Sequence, residues 1–304
     1  MKWRGSFSKS FRVTKGTRQG SLLSPLLFNI FIDKLLLDLK GMTPGVWIGS
    51  SHFNNFAYAD DISVFSGTSC SLQDLIDRCA SYASSWRFKF GVKKTKCMVM
   101  GHNKMTYVPI WKLDGIPVET TDNLEVLGMT FNSSLSSSTH LEKRKSKCRR
   151  SYYSLGEIGM TNSKVSPTVK SHLWRTICSP TLSYGLECLH ISPREMKSLD
   201  SFQGTLIKGS LHIGKRSRSS SLMSAMEIPG MIDLLKQKTL SLLYNICQVP
   251  GPASDICLEL AQQYIRTGTC VPGTLIARVI DFGVSPIHAI FNKIKVTPLF
   301  KDDG

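Results

Sequence analysis

Hydrophobic and polar positions along residues 1–131 switch between helical spacing and strand-like runs. A helix is predicted from Leu26 to Leu39, because Ser24-Pro25 favours a helix start and Gly41 follows. Its apolar residues cover most of the circumference, so it is expected to be largely buried. A second helix is predicted to start at Ser71, with Asp74 in a capping-box relation and a one-sided apolar stripe. Strands are predicted at 46–48, 53–58, 62–65, 97–100, 107–113 and 124–131, and the second and third of these form a hairpin.

A Ser-rich connector at 132–139 separates this pattern from a mainly helical one. Residues from 251 onward are rich in turn formers, and no element is predicted for them. The predicted organisation is a compact α/β region at 1–131, a helical region at 132–250 and an unassigned extension at 251–304. Within the helical region, the helices are predicted at 140–158, 166–187, 194–211 and 231–247.

The composition excludes several classes of protein. A hydrophobic fraction of 41% and a charged fraction of 20% are typical of soluble globular proteins. No apolar run approaches the roughly 18 to 20 residues that span a bilayer, and no secretory signal follows Lys2 and Arg4. The nine cysteines are too scattered for a disulfide framework, so they are expected to be reduced and mostly buried. We therefore expect an intracellular protein, nuclear or cytoplasmic, with no membrane partner.

The charge balance favours a polyanionic partner. Lys and Arg number 38 against 22 Asp and Glu, which gives a net charge of +16 and a pI near 9.5. Each phosphate that such a surface neutralises releases a condensed counterion, so nucleic acid is the favoured partner. A merely basic, solvated surface is the alternative.

The densest basic cluster lies at 143–150, and a second one lies at 215–218. Tyr152 and Tyr153 follow the first cluster as possible stacking groups for bases. A solvated helix face or a nuclear-localisation-like run is the alternative interpretation. The residues expected to contact a nucleic-acid backbone are Lys143, Arg144, Lys145, Lys147, Arg149 and Arg150.

Adjacent carboxylates, Asp60 and Asp61, stand at the tip of the predicted hairpin between apolar strands. Like charges repel, and burial there costs several kcal/mol unless cations neutralise them. Magnesium is bound in this way, with open positions left for substrate phosphates. The alternative is an exposed acidic turn, where Asp-Asp is common.

Several segments in order resemble one polymerase family. Tyr58-Ala59-Asp60-Asp61 matches the tyrosine-x-Asp-Asp box of reverse transcriptases, and the segment from Gly16 to Asn29 resembles the one that packs under nucleotide and template. Lys93 to Met100 is similar to the lysine-rich turn and strand of the same palm, although Gly91 stands where the family usually has Asn. Leu127-Gly128-Met129 resembles an element near the primer grip. The segment from 173 to 187 is similar to a thumb helix. Together these segments resemble the reverse transcriptases of non-LTR (LINE-type) retrotransposons.

The resemblance implies a fold and a reaction. The fold is an α/β partial polymerase palm followed by a mainly α-helical thumb and C-terminal extension. The reaction is DNA synthesis on an RNA template from a DNA primer and a deoxynucleoside triphosphate. Asp60 would bind the catalytic Mg²⁺ or Mn²⁺, with Asp61 in support.

The resemblance also implies roles near the nucleotide. Gln19 would contact the template–nucleotide pair, and Tyr58 would pack at the primer–template side. Gly16 and Gly20 would let backbone approach a ligand closely. Lys94 would donate a proton or charge to the leaving pyrophosphate. The alternatives are that the glycines only shape a loop and that Lys94 is solvated.

The resemblance further implies that the metal site is half built. Two-metal transfer needs carboxylates from separate strands, yet only residues 1–15 precede Gly16 and none is acidic; the first acidic residue is Asp33. A weakly held metal and an inactive, truncated reverse transcriptase are therefore expected. The alternatives are a non-catalytic, sequence-independent nucleic-acid binder and a poorly folding fragment with exposed apolar surface and strand edges.

Overall fold

The structure, a computed structural model, describes residues 2–10, 16, 20–49, 51–101, 109–214 and 216–285. It divides into two compact units. Unit 1 comprises residues 1–95 and 109–118, and unit 2 comprises residues 96–108 and 119–304. No helix among the described residues is long and apolar enough to cross a membrane. Gln19 and Lys215, which the sequence singled out, lie outside the described residues.

The strands are short, and every ladder between described residues has two strands. All pairs are antiparallel neighbours in sequence, except for one parallel pair that joins Lys96–Cys97 to Glu119–Thr120. In chain order the strands are β1 (Lys2–Trp3), β2 (Ser6–Phe7), β3 (Val46–Ile48), β4 (Ser51–Phe53), β5 (Asn55–Tyr58), β6 (Asp61–Val64), β7 (Lys96–Cys97), β8 (Lys112–Leu113), β9 (Ile116–Pro117), β10 (Glu119–Thr120), β11 (Asn123–Val126) and β12 (Met129–Asn132).

Helices make up most of unit 2 and two long segments of unit 1. A π-helical turn, Trp174–Cys178, and a 3-10 turn, Leu186–Cys188, interrupt the helices of unit 2. The α-helices are α1 (Ser24–Lys40), α2 (Ser69–Ser85), α3 (Ser138–Ser154), α4 (Pro167–Leu173), α5 (Ser179–Ser183), α6 (Pro193–Ser210), α7 (Ser219–Ala225), α8 (Met231–Gln248), α9 (Pro252–Thr267) and α10 (Leu275–Asp281).

The core of unit 1 lies between α1, α2 and the β5–β6 hairpin. Leu35 and Leu39 of α1 pack with Leu75 of α2, and all three are fully buried. Ile62 and Val64 of β6 cover the same cluster. The hairpin therefore rests on a packed helical layer.

The expectation that α1 is largely buried is wrong. Its buried side chains are Ile32, Leu35 and Leu39, whereas Leu26 and Ile30 are 56% and 65% exposed. Apolar periodicity cannot show which faces find a partner, and within the described chain only one face of α1 does.

The start of α2 also differs from its prediction. Thr68, not Ser71, is the N-cap residue, and its hydroxyl accepts the amide of Ser71 at 3.2 Å. Ser71 therefore lies in the first helical turn, and no capping box with Asp74 begins the helix.

Unit 2 has two apolar clusters. The larger joins α3 to the helices from α4 to α8, with Trp174, Leu186 and Ile207 fully buried. The smaller joins α8, α9 and α10 around Leu243 and Ile276. The sequence did not predict α7, α9 or α10, because turn-forming residues surround them.

Several predicted elements of unit 2 need correction. The strand at 124–131 is a hairpin of β11 and β12, because Leu127 and Gly128 adopt φ of 50° and 75° and turn the chain. The helix at 166–187 is broken into α4, the π-helical turn and α5. Pro180, which has no N–H, lies in the first turn of α5, and this explains the local change of hydrogen-bond register.

The strands predicted around the loop at 102–108 are also shorter than expected. The strand at 97–100 is reduced to Lys96–Cys97 in β7. Of the strand at 107–113, only Lys112–Leu113 is in β8, and residues 107 and 108 lie outside the described part.

The expectation that the cysteines are mostly buried is confirmed in part. All nine are free. Burial raises the pKa of the Cys79 and Cys97 thiols to about 11. Most are buried or partly buried, and Cys70 and Cys188 are exposed.

Candidate active site and basic surface

Asp60 and Asp61 lie at the tip of the β5–β6 hairpin, as predicted. Tyr58 pairs with Asp61 across the hairpin, and Ala59 turns the chain with a left-handed φ of 52°. Both carboxylates are exposed, and neither forms an ion pair within the described part of the chain. Adjacent open carboxylate oxygens suit a hard cation such as Mg²⁺.

A buried amide that the sequence did not single out fixes the base of this hairpin. Asn54 is 2% exposed, and its side-chain amide donates to the carbonyl oxygens of Leu39 at 2.5 Å and Pro44 at 2.9 Å. The backbone carbonyl of Asn54 accepts a hydrogen bond from the backbone amide of Phe65 at 2.9 Å. Asn54 thus ties the C-terminal end of α1 to the hairpin that carries the carboxylates. The only feature of the sequence that could have indicated this role is an asparagine directly before the strand.

The other predicted active-site residues of unit 1 lie on separate segments. Gly16 and Gly20 adopt positive φ of 89° and 81°, and no atom of the described residues beyond their chain neighbours lies within 4 Å of a Cβ built on either one. Lys94 is exposed in a turn that its amide closes by donating to the Gly91 carbonyl at 2.8 Å. Tyr58 is 66% exposed beside the carboxylates. No hydrogen bond or ion pair between described residues joins Lys94, Gly16 or Gly20 to the hairpin tip.

Within unit 2, α3 presents a set of cations on one face. Lys143, Lys147 and Arg150 recur at helical spacing, and we call these three residues the basic stripe. Lys147 and Arg150 are exposed, and Lys143 is half-buried. Tyr153, 63% exposed, follows on the same side of the helix.

Two further cations of α3, Lys145 and Arg149, also have partners inside unit 2. Lys145 donates to Glu142 at 2.8 Å and to Ser198 at 2.9 Å. The guanidinium of Arg149 lies 5.4 Å from the ring centroid of Phe202. These contacts place both side chains toward α6.

Arg144 and Tyr152 were predicted to contact nucleic acid at the surface, but both are buried. Arg144 is 6% exposed, donates to the Gly128 carbonyl at 3.0 Å and covers the ring of Tyr184. Tyr152 is buried in the core of unit 2, and burial raises its pKa to about 12. Both side chains face inward on α3, so neither belongs to the exposed basic surface.

The second basic cluster lies in the loop between α6 and α7. Arg216 and Arg218 are exposed there, and Lys208 of α6 donates to the carbonyl of Ser217 at 3.1 Å. The loop is thereby attached to the end of α6.

Comparison with known proteins assigns the first part of the chain to a class. Residues 2–131 match the family described as reverse transcriptase (RNA-dependent DNA polymerase), which implies a polymerase palm-type fold. The matched range includes the β5–β6 hairpin with Asp60 and Asp61.

Relatives in insects narrow the class. A polyprotein of the type-2 retrotransposable element R2DM from Drosophila melanogaster is 31% identical over 140 residues, which cover 42% of this chain and 13% of that protein. The RNA-directed DNA polymerase of the mobile element jockey, also from Drosophila melanogaster, is 23% identical over 60% of this chain and 20% of its own length. A polyprotein of the type-1 element R2 from Popillia japonica is 25% identical over 69% of this chain and 29% of its own length.

In residues 2–131 the chain resembles the reverse transcriptases of non-LTR, LINE-type retrotransposons. It spans between 13% and 29% of the lengths of these three relatives. The resemblance seen in the sequence is thereby confirmed at the level of the family.

Proposed function

We propose that the chain supplies the hairpin of a palm and the helices of a thumb for RNA-directed DNA synthesis. The observation that carries this proposal is the exposed Asp60–Asp61 pair at the tip of a packed hairpin, inside the reverse transcriptase match. Asp60 and Asp61 would hold Mg²⁺ or Mn²⁺. Such ions neutralise the phosphates of a deoxynucleoside triphosphate and favour attack of a primer 3′-hydroxyl on the α-phosphate, with pyrophosphate leaving.

The residues around the pair have distinct proposed tasks. Tyr58, exposed on the same hairpin, would pack against the primer–template. Lys94 would offer its ammonium group to the leaving pyrophosphate. Gly16 and Gly20, which lack side chains, would accept close approach by nucleotide or template. Gln19, next to Gly20 in the sequence, would contact the template–nucleotide pair.

The pair supplies only part of a two-metal site. No group of three or more His, Cys, Asp or Glu among the described residues is placed to hold a metal ion. We therefore propose that a further carboxylate completes the site, that metal is weakly held without it, and that synthesis by this chain alone is absent or slow.

Manganese binding tests the role of the pair directly. Mn²⁺ titrated into the purified chain and followed by electron paramagnetic resonance should show weak binding that Asp60→Asn abolishes. Asp114→Asn is the matched control, because Asp114 is also an exposed aspartate at a hairpin turn of unit 1. Equal binding by both variants would contradict the assignment.

Primer extension on an RNA template tests the incomplete site. We expect little or no extension by the wild-type chain. Efficient synthesis that Asp60→Asn abolishes would show that the chain provides a complete site and would overturn the proposed deficit.

A second candidate function is sequence-independent nucleic-acid binding without catalysis. It is favoured by the basic stripe of α3, in which Lys147 and Arg150 are exposed, and by Tyr153 beside it, a possible stacking group for a base. The net charge of +16 supports the same interpretation.

The salt dependence of RNA binding tests this candidate. The logarithm of the affinity should fall linearly with the logarithm of salt concentration, with a slope of roughly 0.7 per neutralised phosphate for a single strand. Lys147→Glu/Arg150→Glu should weaken binding and flatten that slope. Lys164→Glu/Arg266→Glu changes the net charge equally at exposed sites of unit 2 outside α3 and should preserve most of the slope. An equal loss in both double variants would exclude the stripe as the binding surface.

A further inference from the structure

An acidic residue lies among the cations of the basic stripe. Glu125 of β11 accepts a hydrogen bond from Lys143 Nζ at 2.5 Å, and this pair lies on the surface with side-chain exposures of 61% and 42%. Lys143 lowers the pKa of the Glu125 carboxyl most strongly, through the hydrogen bond and its charge, and Lys147 lowers it further. Glu125 is therefore in direct contact with the first cation of the stripe.

The backbone around this carboxylate is fixed. Glu125 lies opposite Thr130 in the β11–β12 hairpin, and Arg144 of α3 donates to the carbonyl of Gly128 in its turn. Hairpin and helix are thus joined directly beside the Glu125–Lys143 pair. The fold therefore holds the backbone of Glu125 beside Lys143.

We propose that Glu125 occupies an anion site of the basic stripe and that a phosphate of single-stranded RNA or DNA displaces it. A carboxylate and a phosphate both present anionic oxygens to a lysine ammonium group. An exposed ion pair of this kind is weak and is screened by salt, so a polyanion can replace it. Glu125 then limits how tightly nucleic acid binds to α3. This inference deepens the binding surface of the proposed function and rests on that surface.

The inference predicts a gain of affinity from the loss of one carboxylate. Binding of a fluorescein-labelled, mixed-sequence RNA oligonucleotide would be measured by fluorescence anisotropy at several salt concentrations. Glu125→Gln should bind about two- to five-fold more tightly than the wild type, which corresponds to the range for exposed ion pairs. The slope of affinity against salt should also steepen, because in the wild type salt weakens the Glu125–Lys143 pair that the phosphate must break, and this partly offsets the loss of affinity.

Unit 2 contains a matched control. Glu119 pairs with Lys96 at 3.2 Å, and its side chain is 61% exposed, like that of Glu125. Glu119→Gln removes the same charge from an equivalent pair outside the stripe, so it reports the effect of net charge alone. If Glu125→Gln and Glu119→Gln bind with the same affinity and slope, the inference is overturned.

A double variant separates this inference from failure of the proposed function. In the Glu125→Gln background, Lys143→Gln should abolish both the tighter RNA binding and the steeper salt dependence. If the tighter binding persists, a phosphate does not displace Glu125 from Lys143. If wild-type RNA binding lacks any salt dependence, the proposed basic surface itself fails. If the wild type binds with a steep slope and only the Glu125 variants behave unexpectedly, the surface stands and the displacement is wrong.

Discussion

The guanidinium of Arg144 lies over the ring of Tyr184, with its Cζ atom 4.7 Å from the ring centroid. Both residues also donate a hydrogen bond to the turn of the β11–β12 hairpin. The Tyr184 hydroxyl donates to the Leu127 carbonyl at 2.7 Å. The Arg144 guanidinium donates to the Gly128 carbonyl at 3.0 Å. Leu127 and Gly128 lie within the residues that match the reverse transcriptase family, whereas Arg144 and Tyr184 lie beyond the match. The helices of unit 2 therefore fix the last hairpin of the matched region.

Removing the Tyr184 hydroxyl should loosen this hairpin. Tyr184→Phe keeps the ring beneath Arg144 but loses the hydrogen bond to Leu127, so we expect the free energy of unfolding to fall by about 0.5 to 1.5 kcal/mol. Urea unfolding measures the change. Tyr153→Phe, at an exposed tyrosine of the same unit, should shift stability by less than about 0.5 kcal/mol. Equal effects of the two substitutions would show that the hydroxyl contributes nothing.

Stability should depend on pH through His140. Its Nδ1 accepts the amide of Thr130 at 3.1 Å, and its Nε2 lies 2.9 Å from the carbonyl oxygen of Tyr184, so the ring is neutral with its proton on Nε2. Burial lowers the pKa of His140 below the ordinary 6.5. Because the unfolded chain then binds the proton more readily, stability is full above pH 6.5 and falls as pH drops below it, by at most about 1.36 kcal/mol per pH unit.

Urea unfolding between about pH 7.5 and 5 checks this dependence, in a window above most carboxylate titrations. His140→Gln retains an acceptor and a donor but does not titrate, so its stability should vary less over that window. An unchanged pH dependence in the variant would assign the effect to other groups.

Gly185 should tolerate alanine poorly for two separable reasons. Its φ of 75° is left-handed, which costs alanine about 1 to 2 kcal/mol. A Cβ would also lie 3.0 Å from Cγ and 3.1 Å from Sδ of Met129. Displacing that side chain should add about 0.5 to 1.5 kcal/mol, the range for a side chain forced off its rotamer.

Gly268→Ala isolates the backbone contribution, because Gly268 has a φ of 67° in the same unit and no atom of the described residues beyond its chain neighbours lies within 4 Å of its Cβ position. The difference between the two variants in free energy of unfolding is the contribution of Met129. A difference near zero would show that Met129 repacks without cost.

Asn54 should be required for the hairpin that carries the carboxylates. Asn54→Asp is nearly isosteric, yet it places a carboxylate against the carbonyl oxygens of Leu39 and Pro44 in place of a donor. We expect a loss of more than about 2 kcal/mol in unit 1, since a buried charge is left unpaired. Hydrogen exchange of unit 1 amides measures it, with Asn29→Asp as the exposed control on α1. Undiminished protection in Asn54→Asp would contradict this role.

Local sequence identified most elements of the fold to within a few residues. Ser24-Pro25 and the apolar spacing after it located α1, and the apolar strand-like runs on either side of Asp60-Asp61 located the β5–β6 hairpin. Capping and turn residues act over a few positions, so helix starts and turns can be predicted from them without tertiary information. The hairpin at Leu127-Gly128 was missed because leucine is an unusual residue at a left-handed turn position.

The sequence by itself determined the carboxylate pair, the family and the basic character of α3. It could not decide which cations of α3 face outward: Arg144 is buried against Tyr184, whereas Lys147 and Arg150 are exposed. It also did not reveal Asn54 as the anchor of the hairpin or Glu125 as the partner of Lys143. Those roles depend on contacts between residues far apart in sequence, and only packing of the helices against the hairpins decides which side chains meet.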